Sequence, residues 1–325
     1  MTLPVPAPAP TSTGLGRVDV TKGHGTRNDF VLVDDRDGDL DVTAELVRRL
    51  CDRRGGLGGD GLIRLVATTH VPDAPATTRT TAWFMDYRNA DGSVAQMCGN
   101  GVRVFARYLE RLGLWRPGTG DLAVGTRAGV RTVRAVDVPV GVGDDAWFAV
   151  DMGPVTITGG APAPAGGGDA EVEVAGLEVT RPGLGVDVGN PHTVVVLAAD
   201  ADLVRADLTR APVVTPVPAD GTNVELVVPL GEQVLADGTT AGRVRMRVHE
   251  RGVGETQSCG TGAVAAAAAV RAYGGAGAPD VWFVEVPGGT VRVTVTPGAD
   301  APRAELAGPA VLVAEASVDL AALLA

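Results

Sequence analysis

Two stretches of this chain are versions of one another. Gln96-Met97-Cys98-Gly99-Asn100-Gly101 and Gln257-Ser258-Cys259-Gly260-Thr261-Gly262 both read Q-x-C-G-x-G, 161 residues apart, and each runs into a stretch able to form a helix. Only three cysteines occur in 325 residues. Two of them at the same point of a repeated motif argue for a duplicated architecture, a pseudo-twofold axis and one acid–base group per half. The length exceeds the usual single domain, and 45% hydrophobic residues suffice for two cores.

The residue pattern carries the same message. Residues 17–34 predict strand, a polar turn at 23–28, then strand again through Phe30-Val31-Leu32-Val33. A helix follows over 43–54, with Thr43 as N-cap and Leu46, Val47 and Leu50 at helical spacing. Strands are expected at 62–66 and 83–87, separated by a Thr- and Pro-rich loop at 68–81. After the first cysteine motif, Val102, Phe105, Ala106, Leu109 and Leu112 fall on one helical face, which ends at Gly113. Strands at 122–138 and 146–152 lead to a domain boundary at 146/147.

The second half repeats this order. It has a Gly/Pro/Ala-rich loop at 159–168, a strand at 193–197, a hairpin turning at Ala236-Asp237-Gly238, and a strand at 243–249 running into Glu250-Arg251-Gly252. A helix over 262–273 and strands at 281–286, 291–295 and 311–313 complete the chain. The fold class is α+β, strand-rich halves that each launch one helix from a Cys-Gly-x-Gly turn.

A net charge of −11 argues against nucleic acid and anionic membranes as partners, and leaves a small molecule or a protein. No apolar run approaches the ~18 residues of a membrane span. Residues 1–13 read as a disordered, proline-rich tail lacking the basic and apolar segments of a signal peptide, which favours the cytoplasm and reduced thiols. Lys22 is the only lysine, so a pyridoxal-phosphate Schiff base has one candidate, with no partner signature around it. His24, His70, His192 and His249 lack metal-ligand spacing, and no metal or cofactor is expected. Gly56-Leu57-Gly58-Gly59-Asp60-Gly61 matches G-x-G-x-x-G by letter but follows a helix and precedes a strand, the reverse of the dinucleotide fingerprint.

A cysteine at the first turn of a helix meets unpaired backbone N–H groups and the positive end of the dipole. The dipole is worth about 0.3–1 kcal/mol, up to ~2 in good geometry, which moves a thiol from roughly 8.5 to about 7–8. The same N–H groups can cradle a carboxylate. Two such thiols on opposite faces of one carbon exchange its proton and invert it. The alternative, that Cys98 and Cys259 are small packing residues, does not require Gln and both glycines to recur; Cys51, alone on a helix, reads as plain core.

Six blocks in series resemble the diaminopimelate epimerase family: Lys22-Gly23-His24-Gly25 with Asn28-Asp29-Phe30; Asn89-Ala90-Asp91-Gly92-Ser93; Met97-Cys98-Gly99-Asn100-Gly101; Gly189-Asn190-Pro191-His192; Gly221-Thr222-Asn223-Val224-Glu225; and Glu250-Arg251-Gly252 running on to Ser258-Cys259-Gly260-Thr261-Gly262. The resemblance implies cofactor-independent interconversion of LL- and meso-2,6-diaminopimelate, on the route to lysine and peptidoglycan precursors, by a cytoplasmic homodimer. It implies two similar pseudo-symmetric domains, each a sheet or barrel wrapped around a central helix, with the site in the cleft between them. These are residues 14–146, with a strand near 306–325 returning to them, and 147–305.

Carried over by motif, Cys98 and Cys259 are the acid–base thiols, with His192 and Glu250 as supporting groups. Gly99, Asn100, Gly260 and Thr261 hold the reacting carboxylate. Asn28, Asn89, Asn190, Asn223, Glu250 and Arg251 hold the amines and distal carboxylate, a mix of acceptors for ammonium and a bidentate cation. This chain departs from the pattern at Arg27, which puts an extra charge beside the first loop, and at Gly61, where many members carry a substrate-contacting glutamine. The nearest rival is a proline racemase or hydroxyproline epimerase, which typically has His at the position of Asn100. Further alternatives are the non-thiol branch of the same fold, which includes phenazine-biosynthesis enzymes, and a thiol redox protein.

Overall fold

The computed structural model describes residues 16–158 and 167–325. The tail read over 1–13, and all but the last two residues of the 159–168 loop, lie outside the described residues. The first half contains β1 (Arg17–Gly25), β2 (Asn28–Asp34), α1 (Ala44–Cys51), β3 (Gly61–Ala67), β4 (Trp83–Asn89), α2 (Gly99–Arg111), β5 (Leu122–Thr126), β6 (Gly129–Val136) and β7 (Trp147–Pro154). The second contains β8 (Thr156–Ile157), β9 (Ala170–Glu173), β10 (Arg181–Asp187), β11 (Pro191–Val196), α3 (Asp200–Arg205), β12 (Val213–Thr215), β13 (Asn223–Val234), β14 (Thr240–Glu250) and β15 (Gly254–Thr256). It continues through α4 (Gly260–Gly274), β16 (Val281–Val286), β17 (Gly289–Thr296), β18 (Arg303–Pro309), β19 (Val311–Asp319) and α5 (Leu320–Leu324).

The pairing exposes the duplication. In each half an antiparallel hairpin (β1–β2, β10–β11) gains a parallel neighbour (β3, β13), then an antiparallel return (β4, β14). A helix intervenes, and a parallel strand (β5, β16) with two antiparallel ones completes the unit at β7 and β18. β7 and β18 pair with each other and join the halves. α2 packs against β1 to β4, β6, β7, β18 and β19, while α4 packs against β10, β11, β13, β14 and β16 to β18. The fold is two-domain α+β, each sheet curled around one helix.

Residue choice explains this packing. α4 is buried on nearly every side from Gly262 to Val270, as expected of a helix apolar all round. Its alanines let the strands approach closely. α2 keeps a larger-residue face, with Val102, Val104, Phe105 and Leu109 fully buried. Burying each such side chain contributes about 1.5–3 kcal/mol.

Several expectations change in detail. The first hairpin turns at Thr26-Arg27, both left-handed with φ 50° and 61°, and not across 23–28. Gly23 and Gly25 lie inside β1 because a Cβ at Gly23 would sit 2.9 Å from the Val311 carbonyl, and one at Gly25 would sit 3.2 Å from the Arg103 guanidinium. Those glycines mark close packing. α1 stops at Cys51, where Asp52 leaves helical geometry and its carboxylate accepts from the backbone of Arg54 and Gly55. β7, which the boundary at 146/147 gives to the second half, packs on α2 and pairs with β6. The strand expected near 306–325 is two strands, β18, which starts at Arg303 and pairs with β7, and β19. β19 runs on to Asp319 and pairs with β1.

One buried charge cluster fixes β3 and β4. Asp86 has a side chain only 2% exposed and faces Arg127 at 2.7 Å, Arg88 at 3.0 Å and Arg64 at 3.6 Å. Burial alone would raise its pKa, but the bonds from Arg88 and Arg127 outweigh it and hold it below the ordinary value. The stabilisation is therefore present above about pH 4 and lost as pH falls through the folded pKa. Asp86→Ala, which strands the arginines, is expected to cost about 3–5 kcal/mol at pH 7. In denaturant unfolding at pH 7 and pH 3 the gap to the unsubstituted chain should narrow in acid; a constant gap contradicts this account.

Candidate active site

The duplicated scaffold places its chemistry at equivalent points. Cys98 and Cys259 are the N-caps of α2 and α4, both extended (φ −139° and −117°), each sulfur accepting from the N–H three residues on, Gly101 at 3.4 Å and Gly262 at 3.3 Å. The helix starts touch: a Cβ built on Gly260 would lie 3.4 Å from the Gly99 Cα. The N–H groups of the first helical residues, Gly99 and Asn100 in one half and Gly260 and Thr261 in the other, thus converge on one place.

Strand ends surround the helix starts. Asn28 opens β2, Asn89 closes β4, Asn190 immediately precedes β11, Asn223 opens β13 and Glu250 closes β14. Register makes these positions equivalent. Gly61 pairs with both Phe30 and Asn89, and Asn223 pairs with His192 and, one step back from Val224–His249, stands opposite Glu250. Phe30 and Ile63 in the first half therefore match His192 and Glu225 in the second.

In the first half the Cys98 thiol faces the Asn28 Oδ1 at 3.5 Å. Asn28 is oriented by donating its amide to Asp60 at 2.7 Å, and Asp60 is tied through Arg53 to Asp29 and Lys22. Lys22 thus serves as a structural cation, also donating to the Gly58 carbonyl. The Asn100 amide bridges the halves: it donates to Asn28 Oδ1 at 3.2 Å and to the Ser258 carbonyl at 3.2 Å. Ser258 completes the bridge with the Thr26 hydroxyl at 2.7 Å. Gly61 has room for no side chain, since a Cβ there would lie 2.4 Å from the Arg88 carbonyl and 2.6 Å from the Tyr87 ring.

The second half is more charged. The Cys259 sulfur lies 3.4 Å from the Thr261 hydroxyl. His192, fully buried, bonds through Nδ1 to Glu225 Oε1 at 2.7 Å and faces Asn190 Oδ1 from Nε2 at 3.1 Å. Glu250 accepts from the Thr256 hydroxyl and lies near Cys259. Burial, then the nearby Glu225 charge, raise its pKa above the ordinary range. Asn223 spends its amide on the Pro191 carbonyl (3.3 Å) and the Arg251 N–H (2.9 Å). Arg251 is exposed and rests on the Asp220 carbonyl, while Asn89 donates to the Ser93 hydroxyl at 2.9 Å.

The thiols reverse one expectation. Burial pushes the Cys98 thiol up to about 11, with the Gly101 N–H offsetting part of the rise. Cys259 lies well above the ordinary range, through burial first and then the Glu250 and Glu225 charges. Desolvation outweighs a helix terminus worth about 0.3–2 kcal/mol. Two groups escaped the sequence reading. Glu225 lies inside a quoted block, at an inward-facing strand position normally apolar; Arg103 reads as a polar residue of an amphipathic helix, yet it is fully buried.

By its fold the molecule falls in a class of two-domain α+β proteins whose halves each wrap a sheet around one helix. It superposes on a phenazine biosynthesis protein of the PhzF family from Bacillus anthracis with TM-score 0.61 at 15% identity, covering 93% of this chain and 99% of the other. A hydroxyproline epimerase from Agrobacterium vitis aligns with TM-score 0.59 at 16% identity, covering 93% and 92%. Within that class, the family model for diaminopimelate epimerase matches residues 20–158 and 185–313. Diaminopimelate epimerases of Streptomyces coelicolor (46% identical, 94% of this chain and 96% of that protein) and Thermobifida fusca (47%, 93% and 98%) are similar over nearly the whole length. The chain belongs to the diaminopimelate epimerase family.

The site makes an asymmetric prediction. A Cβ at Gly262 would lie 2.7 Å from Glu225 Oε1, whereas at Gly101 the nearest groups are the Cys98 Cβ and Ile63 Cδ1, both at 3.3 Å. Gly262→Ala should therefore lose about tenfold more kcat than Gly101→Ala, about 1.4 kcal/mol of barrier. Steady-state kinetics on both folded variants checks this; equal losses contradict it.

Proposed function

We propose that this protein interconverts LL- and meso-2,6-diaminopimelate by two-thiol proton exchange, without a cofactor. One observation carries the reading: two cysteine N-caps on helix starts that meet backbone to backbone. The reacting carboxylate lies on the N–H groups of Gly99, Asn100, Gly260 and Thr261. One thiolate takes the α-proton, and the electron pair left on carbon spreads into that carboxylate, where the helix ends stabilise the growing charge. The opposite thiol delivers its own proton to the other face. The centre is inverted and the thiol and thiolate have changed places.

In this reading the raised thiol pKa values have a use. A thiolate stripped of water is a stronger base toward a weakly acidic C–H. Glu250 and His192 accompany Cys259 as supporting groups, with Glu225 holding His192. Asn28, beside the Cys98 thiol, with Asn89, Asn190, Asn223, Glu250 and Arg251 holds the amines and the second carboxylate, which need acceptors and a guanidinium. The reading includes a homodimer in the cytoplasm, supplying lysine and peptidoglycan precursor synthesis. Its two domains are the β19-bearing first half and the remainder, meeting at the β7–β18 seam.

Cys98→Ala and Cys259→Ala should each lower kcat for LL-diaminopimelate by at least the ~10²–10⁴-fold of a lost acid–base group. Cys51→Ala, a core change, should retain activity, and L-proline should not be turned over. Chromatographic resolution of the diastereomers measures all of these. Undiminished epimerisation in either active-site variant sinks the two-thiol mechanism, and turnover of L-proline favours the proline racemase alternative.

A further inference from the structure

α2 buries a full charge that the proton-exchange scheme leaves unused. Arg103 has no solvent exposure. Its Nη2 donates to Asn100 Oδ1 at 2.9 Å and its Nη1 to the Gly99 carbonyl at 3.4 Å, while Nε has no partner. Both acceptors are neutral. Among the described residues no carboxylate pairs with this guanidinium, and a charge out of water without a counter-charge is among the costliest things a core can hold. The packing is built for it. Gly25 and Gly308 flank the guanidinium so closely that a Cβ on either would lie 3.2 Å from it.

The other half has no counterpart. Arg103 follows Cys98 by five residues, and five residues after Cys259 stands Val264, buried and apolar. The asymmetry reverses for anions. Glu225, Glu250 and His192 stand by Cys259, where the equivalent first-half positions are Ile63, Asn89 and Phe30. One thiol thus has a buried cation behind it, and the other has two carboxylates and a histidine.

We propose that Arg103 is a positioning residue that makes Cys98 the thiolate of the resting pair and leaves Cys259 protonated. The assignment rests on the two-thiol reading and gives it a direction. The resting enzyme accepts the isomer that presents its α-hydrogen to Cys98, and the other isomer reacts with the form in which the charge has moved to Cys259.

The surroundings of each sulfur agree but for one group: Asn28 Oδ1, 3.5 Å from the Cys98 sulfur, is an acceptor that favours the protonated thiol. Around Cys98, burial is the largest effect; the Gly101 N–H favours the thiolate, Glu250 from β14 opposes it, and the Asn100 N–H and Arg103 favour it by less. Tyr87 on β4 is also near, buried and neutral. The one charge acting on Arg103, besides its own burial, is that of Cys98. Around Cys259, burial, Glu250 and Glu225 all oppose ionisation, against the Thr261 hydroxyl and the Gly262 N–H.

The test needs no turnover. The free protein is treated with iodoacetamide across a pH series, and alkylation at each cysteine is followed by peptide mass spectrometry. The expected result is a lower midpoint pH for Cys98 than for Cys259. Arg103→Met should raise the Cys98 midpoint by roughly 0.3–1 unit, a two- to tenfold loss of thiolate at a given pH, without raising that of Cys259. Arg103→Lys should restore it in part, and thermal melts establish that the variants are folded. A Cys98 midpoint at or above that of Cys259 overturns the proposal, as does an unmoved midpoint in Arg103→Met. If Arg103→Met does not fold, the ordering in the unsubstituted protein and the Arg103→Lys profile decide. Loss of the two-thiol mechanism would show in the cysteine variants with this ordering intact, so the two ideas fail separately.

Discussion

The candidate active site depends on one close approach, that of the first turns of α2 and α4 at Gly99 and Gly260. A side chain at either position would hold the helices apart: at Gly260 a Cβ meets Leu306 at 3.0 Å as well as Gly99, and at Gly99 it meets Met152 at 3.1 Å. The rest of the architecture delivers the helices to that point. Each sheet curls around its helix, the β7–β18 ladder sets one half against the other, and Thr26, Ser258 and Asn100 bridge the halves beside the thiols. Two positive helix ends that meet repel one another unless something negative lies nearby. A thiolate and a substrate carboxylate are the kinds of group such a place accommodates.

Exact symmetry would give two identical thiols an even share of one charge. Duplication supplied the frame and substitution broke the symmetry. Phe30 and Ile63 keep the first half apolar around Cys98, with a guanidinium behind it; Glu225, bonded to His192, and Glu250 put carboxylates around Cys259. Desolvation of both sulfurs is the common background, and the unequal neighbours decide which of them ionises first.

Much of this was legible in the sequence. The repeated motif located both caps, because a cysteine followed by Gly-x-Gly at a helix start can be read locally, and the apolar spacing of Val102, Phe105 and Leu109 located α2. The positions of Asn28, Asn89, Asn190, Asn223 and Glu250 at strand ends follow the same repeat. Properties set by distant segments were not legible. Arg103 is buried because β18 and β19 return some two hundred residues later and close over it. Gly23 and Gly25 resemble a turn until β19 is known to lie against β1. The thiol pKa misled for the same reason: a helix terminus is a local feature, whereas burial is a property of the whole fold.

In the proposed mechanism two groups on opposite faces handle one proton position. A single diaminopimelate isomer followed in deuterated water at low conversion, with the α-position of both isomers read by mass spectrometry, distinguishes this from a single base. Two thiols predict that the newly formed isomer carries deuterium while the recovered starting isomer stays protiated. Protium in the new isomer, or deuterium appearing equally early in both, would mean that one group serves both faces, and would contradict the account.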